Sequence, residues 1–250
     1  MRWNYQKYGR ETVYFTDSLV NGSVKMFREL CATLADFRAT GDLPDTFSWT
    51  GHFICHREGV MKEADYRLMK ESGCSLLHIG IESGSERVRD QMGKKFSNRD
   101  IDICMEMLAK HQMSAQFLMI IGYPTETESD FQDTLRLFQK LHCLGFTAKN
   151  ADGYAPLKSV SLGSTMLVDI HDEGVWKALS RHGIDNYQNT YHWSCGTNTH
   201  TERKERMKRA RACLQRLKID EPDEAKRRQD EIDNIPKIQK KRNLNQTLVL

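Results

Sequence analysis

The stretch L-L-H-I-G-I-E-S-G-S at residues 76–85 carries side chains well placed for chemistry. Because side chains alternate along a strand, the aliphatic residues share one face, while His78, Gly80 and Glu82 share the other. The aliphatic face suits packing under helices, and the mixed face suits a barrel lumen or a cleft. Glu82 ends the strand at its carboxyl end, where α/β sheets and barrels place their sites. The pattern indicates either a functional carboxylate or a surface carboxylate that begins a loop.

Two histidine pairs also have a spacing that invites a chemical interpretation, His52 with His56 and His192 with His200. Histidines at i and i+4 on a helix can bind zinc. Residues 52–56, however, fall in a predicted strand, and no third ligand is spaced convincingly with either pair. The sequence therefore does not predict a dedicated metal site.

Strands and helices alternate along the chain and position these residues. The pattern predicts strands at 12–17, 46–55, 76–82, 115–121 and 148–154, and helices at 24–37, 62–72, 86–92, 101–111 and 128–141. Gly73 is the expected left-handed helix end, and Ser85 is the expected N-cap of the helix at 86–92. A loop-rich region up to about residue 198 and two closing helices follow. This alternation indicates a parallel sheet with right-handed crossovers and too few strands to close an eight-stranded barrel.

Composition and cysteine usage bound the class of protein. The 250 residues are 39% apolar and 28% charged, typical of a globular chain, and no apolar run approaches the ~20 residues that span a bilayer. The N-terminus lacks an apolar signal core, so we expect a cytoplasmic protein with no membrane partner. The seven cysteines are widely spaced without a C-x-x-C, which argues against a disulfide framework and a zinc ribbon.

The C-terminal fifty residues carry a net positive charge. Residues 201–250 contain 15 Lys/Arg against 9 Asp/Glu. The acids are interspersed and aromatic residues are lacking, so the pattern favours a solvated helical face over a specific nucleic-acid contact. We expect a domain at 1–200 and a helical, mixed-charge C-terminal extension at 201–250.

Several motifs, taken in order, resemble the radical S-adenosylmethionine (SAM) superfamily, and in particular its class with a cobalamin-binding domain. They are F-T-D-S-L-V-N-G (15–22), L-M-K-E-S-G-C (68–74), H-I-G-I-E-S-G-S (78–85), M-G-K-K (92–95), F-L-M-I-I-G-Y-P-T-E-T (117–127) and L-G-S-T (162–165). Each is weak alone, but their order and spacing are specific. The resemblance covers roughly residues 5–215.

The resemblance implies an α/β fold, a partial (β/α)6 TIM-like barrel. It also implies a [4Fe–4S] cluster held by C-x-x-x-C-x-x-C, and SAM cleaved to a 5′-deoxyadenosyl radical that abstracts hydrogen from substrate. This sequence contains no C-x-x-x-C-x-x-C. Residues 5–13 resemble the end of the helix after the cluster loop, although the local pattern alone predicts no helix before the first strand. We therefore expect a C-terminal piece of the core that lacks its first β/α unit, with the cluster ligands, and a cobalamin domain if one is used, outside this chain.

The resemblance also implies residue roles near SAM at the strand ends. Asp17 matches the acidic position near the SAM amino group, or else forms an Asx turn or helix cap, and Asn21 suits either purpose. Arg57 suits the SAM carboxylate, or else pairs with Glu58 or Asp65.

Later strand ends have implied roles as well. Glu82 and Ser83 match a position near the ribose or the methionyl end. Ile121, Gly122 and Tyr123 match the segment beside the adenine. Tyr154, Ala155 and Pro156 match the end of the last strand, near the adenine edge, and Glu126 is expected to cap the next helix.

Two functions from different classes remain. The first is the later portion of a radical SAM core acting on a small-molecule substrate, possible methyl transfer included, completed by an upstream-encoded N-terminal half. The second is a non-catalytic barrel-remnant module that docks on a partner through an exposed edge strand at residues 12–17. A cluster-free hydrolase lacks a convincing nucleophile or metal set.

Overall fold

Five parallel strands form the sheet around which the chain folds. A computed structural model describes residues 1–164, 183–188 and 191–233. The strands lie side by side in chain order as β1 (Thr12–Phe15), β2 (Ser48–Phe53), β3 (Cys74–Glu82), β4 (Ser114–Ile121) and β5 (Leu157–Ser164). A separate antiparallel pair is formed by β6 (Asn186–Tyr187) and β7 (Trp193–Ser194). The open sheet confirms the predicted α/β class and the partial-barrel architecture, with no closure among the described strands.

The helices connect successive strands and cover one face of the sheet. They are α1 (Arg2–Tyr8), α2 (Val24–Ala39), α3 (Glu63–Glu71), α4 (Glu86–Gln91), α5 (Asn98–Lys110), α6 (Glu128–Cys143), α7 (His200–Arg216) and α8 (Asp223–Asp233). Helix α1 supports the resemblance-based expectation of a helix end near Tyr5 and corrects the local pattern, which predicted no helix there. Helices α7 and α8 confirm the two closing helices and their break at Glu221-Pro222.

Local capping chemistry explains where these helices begin and end. The side chains of Ser85, Ser97 and Thr127 each accept the backbone N–H three residues ahead, which satisfies a donor that the first helical turn leaves free. Gly73 follows α3 at φ +93°, the left-handed conformation that glycine adopts without strain. The predicted caps at Ser85 and Gly73 are confirmed.

The two faces of the sheet differ in burial. Leu77, Ile79 and Ile81 on β3 are fully buried beneath the helices, and each such side chain contributes ~1.5–3 kcal/mol to stability. His78 and Gly80 on the opposite face are half-buried; we call this side of the open sheet the lumen. The alternation predicted for β3 is therefore confirmed on both faces.

One predicted strand is wrong. Residues 148–154 form turns, and the last strand of the sheet runs instead over Leu157–Ser164, where Phe117 of β4 pairs with Val160. The apolar and aromatic residues at 148–154 gave a strand-like pattern. Asn150, however, closes a tight turn with its side chain on the backbone N–H groups of Asp152 and Tyr154. The loop-rich region expected from residue 155 thus begins with a strand.

Helix α7 adds to the core beside β4 and β5. It buries Met207, Ala210, Cys213 and Leu214 and contacts β4, β5 and α6. The first helix of the expected C-terminal extension therefore packs on the sheet, while the division at residue 200 stays a prediction.

Candidate functional site

The carboxyl end of β3 presents an ion pair to the lumen. Glu82 adopts φ +66°, which non-glycine residues rarely do, and the pairing of β3 with β4 shifts register between Gly80 and Glu82. The Glu82 carboxylate contacts Lys94 Nζ at 3.1 Å, and both side chains stay partly accessible to solvent (17% and 26% exposed). Backbone outliers of this kind concentrate at functional sites, where the surrounding structure holds the strained conformation in place.

Gly80 provides the room that this ion pair occupies. A Cβ at Gly80 would lie 2.5 Å from Glu82 Oε1 and 3.1 Å from Lys94 Nζ, so any larger residue would displace the pair. The paired carboxylate and ammonium can complement a ligand that itself carries an ammonium and a carboxylate. Glu82 was predicted from the sequence. Lys94 was not assigned a role, although its motif M-G-K-K was noted.

The loop after β3 is fixed by buried polar contacts. Ser83 is fully buried, and its hydroxyl accepts the Ser85 N–H at 3.2 Å while its carbonyl accepts Arg89 Nη1 at 2.6 Å. Arg89 is itself fully buried and also donates to Asn98 Oδ1 at 2.7 Å. The Ser83 side chain therefore stabilises the loop from its buried side. Of the predicted residues Glu82 and Ser83, only Glu82 faces the lumen.

The loop after β4 is held by residues from α7. Gly122 has φ +83°, and a Cβ there would overlap the aliphatic stem of Arg203. Arg203 stacks on Trp193, 3.6 Å from its guanidinium carbon to the ring centroid, and donates to three backbone carbonyls. Asn198 donates to the carbonyl of Tyr123 at 2.7 Å. The side chain of Ile121 is buried in the core, whereas Tyr123 is half-buried.

Glu126 does not cap α6, contrary to the sequence expectation. Thr127 is the cap, in a capping box with Asp130. Glu126 is buried, accepts the Gly122 N–H at 2.9 Å and pairs with Arg206 at 3.2 Å. Burial outweighs this partner and raises the pKa of Glu126 to about 7.

Asp130 ties the loops after β3 and β4 together. Its carboxylate accepts the Ser85 hydroxyl at 2.7 Å and the Thr127 N–H at 2.8 Å, and it pairs with the Arg87 guanidinium. Burial opposes ionisation of Asp130, but the hydrogen bonds from Arg87, Thr127 and Ser85 outweigh it and hold the pKa of this carboxyl well below its usual range. The two loops that form this part of the rim are therefore cross-linked.

The residues predicted after the first two strands reach the rim without converging on Glu82. Asp17 follows β1 and is exposed, so its carboxylate stays accessible. Asn21 serves neither expected purpose, because it is fully buried and exchanges hydrogen bonds with the backbone of Ile54. Arg57 lies four residues beyond β2 and donates to the Lys95 carbonyl at 2.9 Å.

The alternative pairing expected for Arg57 is also corrected. Asp65 pairs with Arg28, which donates to both carboxylate oxygens at 2.7 and 2.8 Å. The partner of Asp65 therefore comes from α2, a helix distant in sequence.

Tyr154 and Ala155 lie at the amino ends of the strands, whereas Glu82 and Gly122 lie at the carboxyl ends. They precede β5, and the Tyr154 hydroxyl donates to the carbonyls of Leu108 and Met113 just before β4. Their expected position at a carboxyl strand end is wrong because the strand assigned to 148–154 begins only at Leu157. Pro156 also lies at the amino ends of the strands, where its carbonyl accepts the Ala115 N–H.

The histidine pairs do not form metal sites in the described part of the chain. His52 faces the lumen beside His78, whereas His56 contacts the Asn21 carbonyl at 3.1 Å. The rings of His192 and His200 stack with centroids 4.1 Å apart, and burial, followed by proximity to His192, lowers the pKa of His200 to about 4. Within residues 1–164, 183–188 and 191–233, no group of three or more His, Cys, Asp or Glu is arranged to hold a metal ion.

The cysteines do not fit a [4Fe–4S] cluster. None of the seven is in a disulfide, and five of them are buried in the core. Burial raises the pKa of the Cys31 thiol to about 12 and that of Cys74 well above its usual value, so these groups stay protonated rather than forming the thiolates that bind iron. No helix among the described residues is long and apolar enough to cross a membrane.

The family model described as the radical SAM superfamily matches residues 4–138, more than half of the chain. The chain belongs to the radical SAM superfamily. The match runs from α1 through the first four strands and most of α6, and it contains Asp17, Glu82, Lys94 and Gly122.

Individual relatives match shorter stretches. The threonylcarbamoyladenosine tRNA methylthiotransferase MtaB of Chlamydia pneumoniae is 32% identical over 83 residues, which is 30% of this chain and 20% of that protein. An uncharacterised methyltransferase of Pyrococcus horikoshii is 31% identical over 94 residues, which is 38% of this chain and 20% of that protein. The matched stretch thus spans about a fifth of the length of these curated relatives.

A solved structure shares the fold. The radical S-adenosylmethionine methyltransferase TsrM from Kitasatospora setae, solved with cobalamin and a [4Fe–4S] cluster bound, has a TM-score of 0.50 at 15% identity. The likeness covers 66% of this chain and 29% of that one. At this identity it shows the fold alone.

Proposed function

We propose that this chain is the SAM-binding part of a radical SAM enzyme core whose [4Fe–4S] ligands come from polypeptide outside these 250 residues. The observation that carries the proposal is the Glu82–Lys94 pair at the carboxyl end of β3. The left-handed backbone of Glu82 holds this pair over Gly80. The methionyl end of SAM is a zwitterion, and an accessible carboxylate and ammonium 3.1 Å apart offer both complementary charges.

The residues around this pair fit SAM in kind. Glu82 would accept from the SAM ammonium or the ribose hydroxyls, and Lys94 would face the SAM carboxylate. Asp17, exposed after β1, is a second acceptor for the ammonium. When cluster-bound SAM is cleaved reductively, the chemistry it supplies is a 5′-deoxyadenosyl radical for hydrogen abstraction from substrate. The part of this chain is to bind and orient SAM and to wall the lumen.

The free edge of β1 supports a completing segment. Among the described strands, β1 pairs with β2 alone, so its other edge can take a further parallel strand. Leu19, shortly after β1, and Met26, on α2, are exposed apolar side chains that such a segment would cover. We further propose that the reaction is methyl transfer with a cobalamin domain outside these 250 residues. The methyltransferase names among the relatives support this proposal. Seven cysteines outside disulfides suit the reducing cytoplasm, which we propose as its compartment.

SAM binding by the isolated chain tests the proposal without a cluster. Isothermal titration should detect SAM binding to the wild type, and Glu82→Gln and Lys94→Met should each weaken it by about tenfold, as expected for loss of one charge-assisted contact. The matched control is the surface pair Glu63–Lys110, whose charged atoms are 2.7 Å apart and whose side chains are more than half exposed. Glu63→Gln and Lys110→Met should leave SAM binding unchanged. Wild-type chain that does not bind SAM contradicts the proposal.

Anaerobic reconstitution with the product encoded upstream separates the enzyme from the non-catalytic module. We expect no cluster in this chain alone, and a cluster with 5′-deoxyadenosine release once the partner and a strong reductant are present. A cluster in the lone chain overturns our account of the ligands. No cluster in either case favours the barrel-remnant module.

A further inference from the structure

A continuous row of polar side chains crosses the lumen face of four strands below the rim. The row consists of Tyr14, His52, His78 and Gln116, one each from β1, β2, β3 and β4. His52 pairs in register with His78, and His78 with Gln116. The Tyr14 hydroxyl and His52 Nε2 are 2.7 Å apart, and the centroid of the His78 ring lies 5.6 Å from that of His52 and 5.7 Å from that of Tyr14. These side chains therefore form one connected surface.

This row is distinct from the Glu82–Lys94 pair. The Glu82 carboxylate folds back over Gly80, two residues along β3 from His78, so at ~3.3 Å per residue the ion pair lies about 7 Å from the row along the strand. Gly80 lies between them on the same face and adds no side chain there. On β4, the half-buried Leu118 and Ile120 follow Gln116 toward the rim, so an apolar wall connects the row to the rim.

The row offers hydrogen-bond donors without a compensating negative charge. Burial, then the proximity of His52, lowers the pKa of His78, and a side-chain hydrogen bond with Gln116 acts in the opposite direction. The other groups in contact are the Tyr14 hydroxyl, near both rings, and the His52 imidazole. An anionic group between the two imidazoles would supply what these neighbours lack, because it would favour the protonated, donating form of both rings.

We propose that Tyr14, His52, His78 and Gln116 form a subsite for the carboxylate of an elongated substrate whose apolar segment lies along Leu118 and Ile120. This inference rests on the proposed function, since it names the substrate class of the same lumen. The row lies below the Glu82–Lys94 pair along β3, so it holds the far end of the substrate and the reacting carbon lies nearer SAM at the rim. His52 and His78 are positioning residues in this scheme.

A carboxylate suits the row better than a phosphate. Two imidazoles on adjacent strands offer one N–H each, which suits the two oxygens of a single carboxylate. Phosphate sites in proteins use fixed cations or helix N-termini, and none of the four side chains in the row is Lys or Arg.

Three probes of equal chain length test the chemistry on the full wild-type chain without SAM or a cluster. NMR of the histidine ring nitrogens should show that hexanoate binds more tightly than 1-hexanol or hexyl phosphate and shifts the ring-nitrogen signals of His52 and His78. His52→Gln and His78→Gln should each weaken hexanoate about tenfold, while His142→Gln, an exposed histidine on α6 that contacts Thr147, should not. If one of the lumen variants fails to fold, the wild-type titration still decides.

Two outcomes overturn the assignment. Equal binding of hexanoate and hexanol removes the carboxylate subsite, and stronger binding of hexyl phosphate replaces it with a phosphate subsite. SAM binding measured on the same samples separates this inference from the proposed function. Because the proposed SAM contacts are Glu82 and Lys94 rather than the row, SAM should bind His52→Gln and His78→Gln as it binds the wild type. Hexanoate binding without any SAM binding would support the subsite and contradict the proposed function.

Discussion

Glu126 and Arg206 form an ion pair between the loop after β4 and α7, with Oε2 and Nη1 3.2 Å apart and both side chains almost wholly buried. The pair is embedded in further contacts, because Glu126 accepts the Gly122 N–H and Arg206 also donates to the Glu126 carbonyl. One end of the pair thus holds the left-handed turn at Gly122, and the other anchors the helix that covers β4 and β5.

The Glu126–Arg206 pair predicts a specific dependence of stability on pH. The folded pKa of about 7 lies above the usual 4.5, so between these values the folded protein holds a proton that the unfolded chain releases. The free energy of unfolding should therefore fall as pH rises from about 4.5 to about 7, by on the order of 3 kcal/mol. Glu126→Gln should remove this fall, measured by urea unfolding at pH 5.0 and 7.5.

Two comparisons make the Glu126 measurement specific. His200, whose pKa is lowered to about 4, gives a slope of opposite sign in the same range, and the difference between wild type and Glu126→Gln cancels it. Glu63→Gln, which alters an exposed pair, should keep the wild-type slope. Parallel pH profiles for wild type and Glu126→Gln would contradict the assignment.

Gly122 and Arg203 should be strongly coupled in stability. In Gly122→Ala, a left-handed φ costs about 1–2 kcal/mol, and the added Cβ also overlaps the Arg203 stem, so we expect a total loss of about 3 kcal/mol. In an Arg203→Ala background the overlapping Cγ and Cδ are gone and only the Cβ of residue 203 remains, at 3.2 Å, so the same substitution should cost little more than the backbone strain. A double-mutant cycle by chemical denaturation measures the difference.

Gly153→Ala is the matched control for the Gly122 cycle. Gly153 has φ +76° but open space around it, so its substitution should cost only about 1–2 kcal/mol in either background. Additive losses at Gly122 and Arg203 would show that the packing contact does not constrain this turn.

The sequence was sufficient for the elements whose signals are local. The strand at 76–82, its two faces and the caps at Ser85 and Gly73 follow from alternation, hydroxyl chemistry and glycine, and the structure confirms them. Glu82 was placed at a strand end for the same reason. Its left-handed backbone was not predicted, because it depends on the register shift against β4.

Contacts between distant parts of the chain explain why the buried arginines of α7 and the row of polar side chains were not predicted. Arg203 and Arg206 lie in a helix of low mean hydropathy with many charges, so their burial against the loop after β4 leaves no local signal. The row from Tyr14 to Gln116 was missed because it joins four strands, and His52 was compared with His56, its neighbour in sequence. The strand expected at 148–154 failed because Asn150 closes a turn that the apolar pattern does not reveal.

Gly84 is required for packing, and its substitution should be severe. A Cβ at Gly84 would lie 2.5 Å from the Asp133 carbonyl oxygen and would overlap the backbone of Thr134 on α6. The Thr134 hydroxyl accepts the Gly84 N–H. Since backbone cannot yield as a side chain does, we expect Gly84→Ala to lower the free energy of unfolding by about 3 kcal/mol or more.

Gly22→Ala is the control for the Gly84 measurement. The closest atoms to a Cβ at Gly22 lie at 3.6 Å, so this substitution should change stability by less than about 1 kcal/mol. Thermal unfolding of both variants provides the comparison, and equal Tm values would argue against the close approach of α6.

Asp130 should dominate acid unfolding of the rim. Its folded pKa is held well below the usual 3.8 although burial opposes this, so the ionised carboxylate stabilises the folded chain above pH 3.8 and that stability is lost as pH falls further. Asp130→Asn should cost about 2–3 kcal/mol at pH 7, where it breaks charge-assisted bonds to Arg87 and Ser85, and much less at pH 2.5. Asp133→Asn, in an exposed pair with Arg136 on the same helix, should change stability by under ~1 kcal/mol at either pH. A gap between wild type and Asp130→Asn that stays constant down to pH 2.5 would show that the carboxylate charge does not stabilise the junction of the two loops.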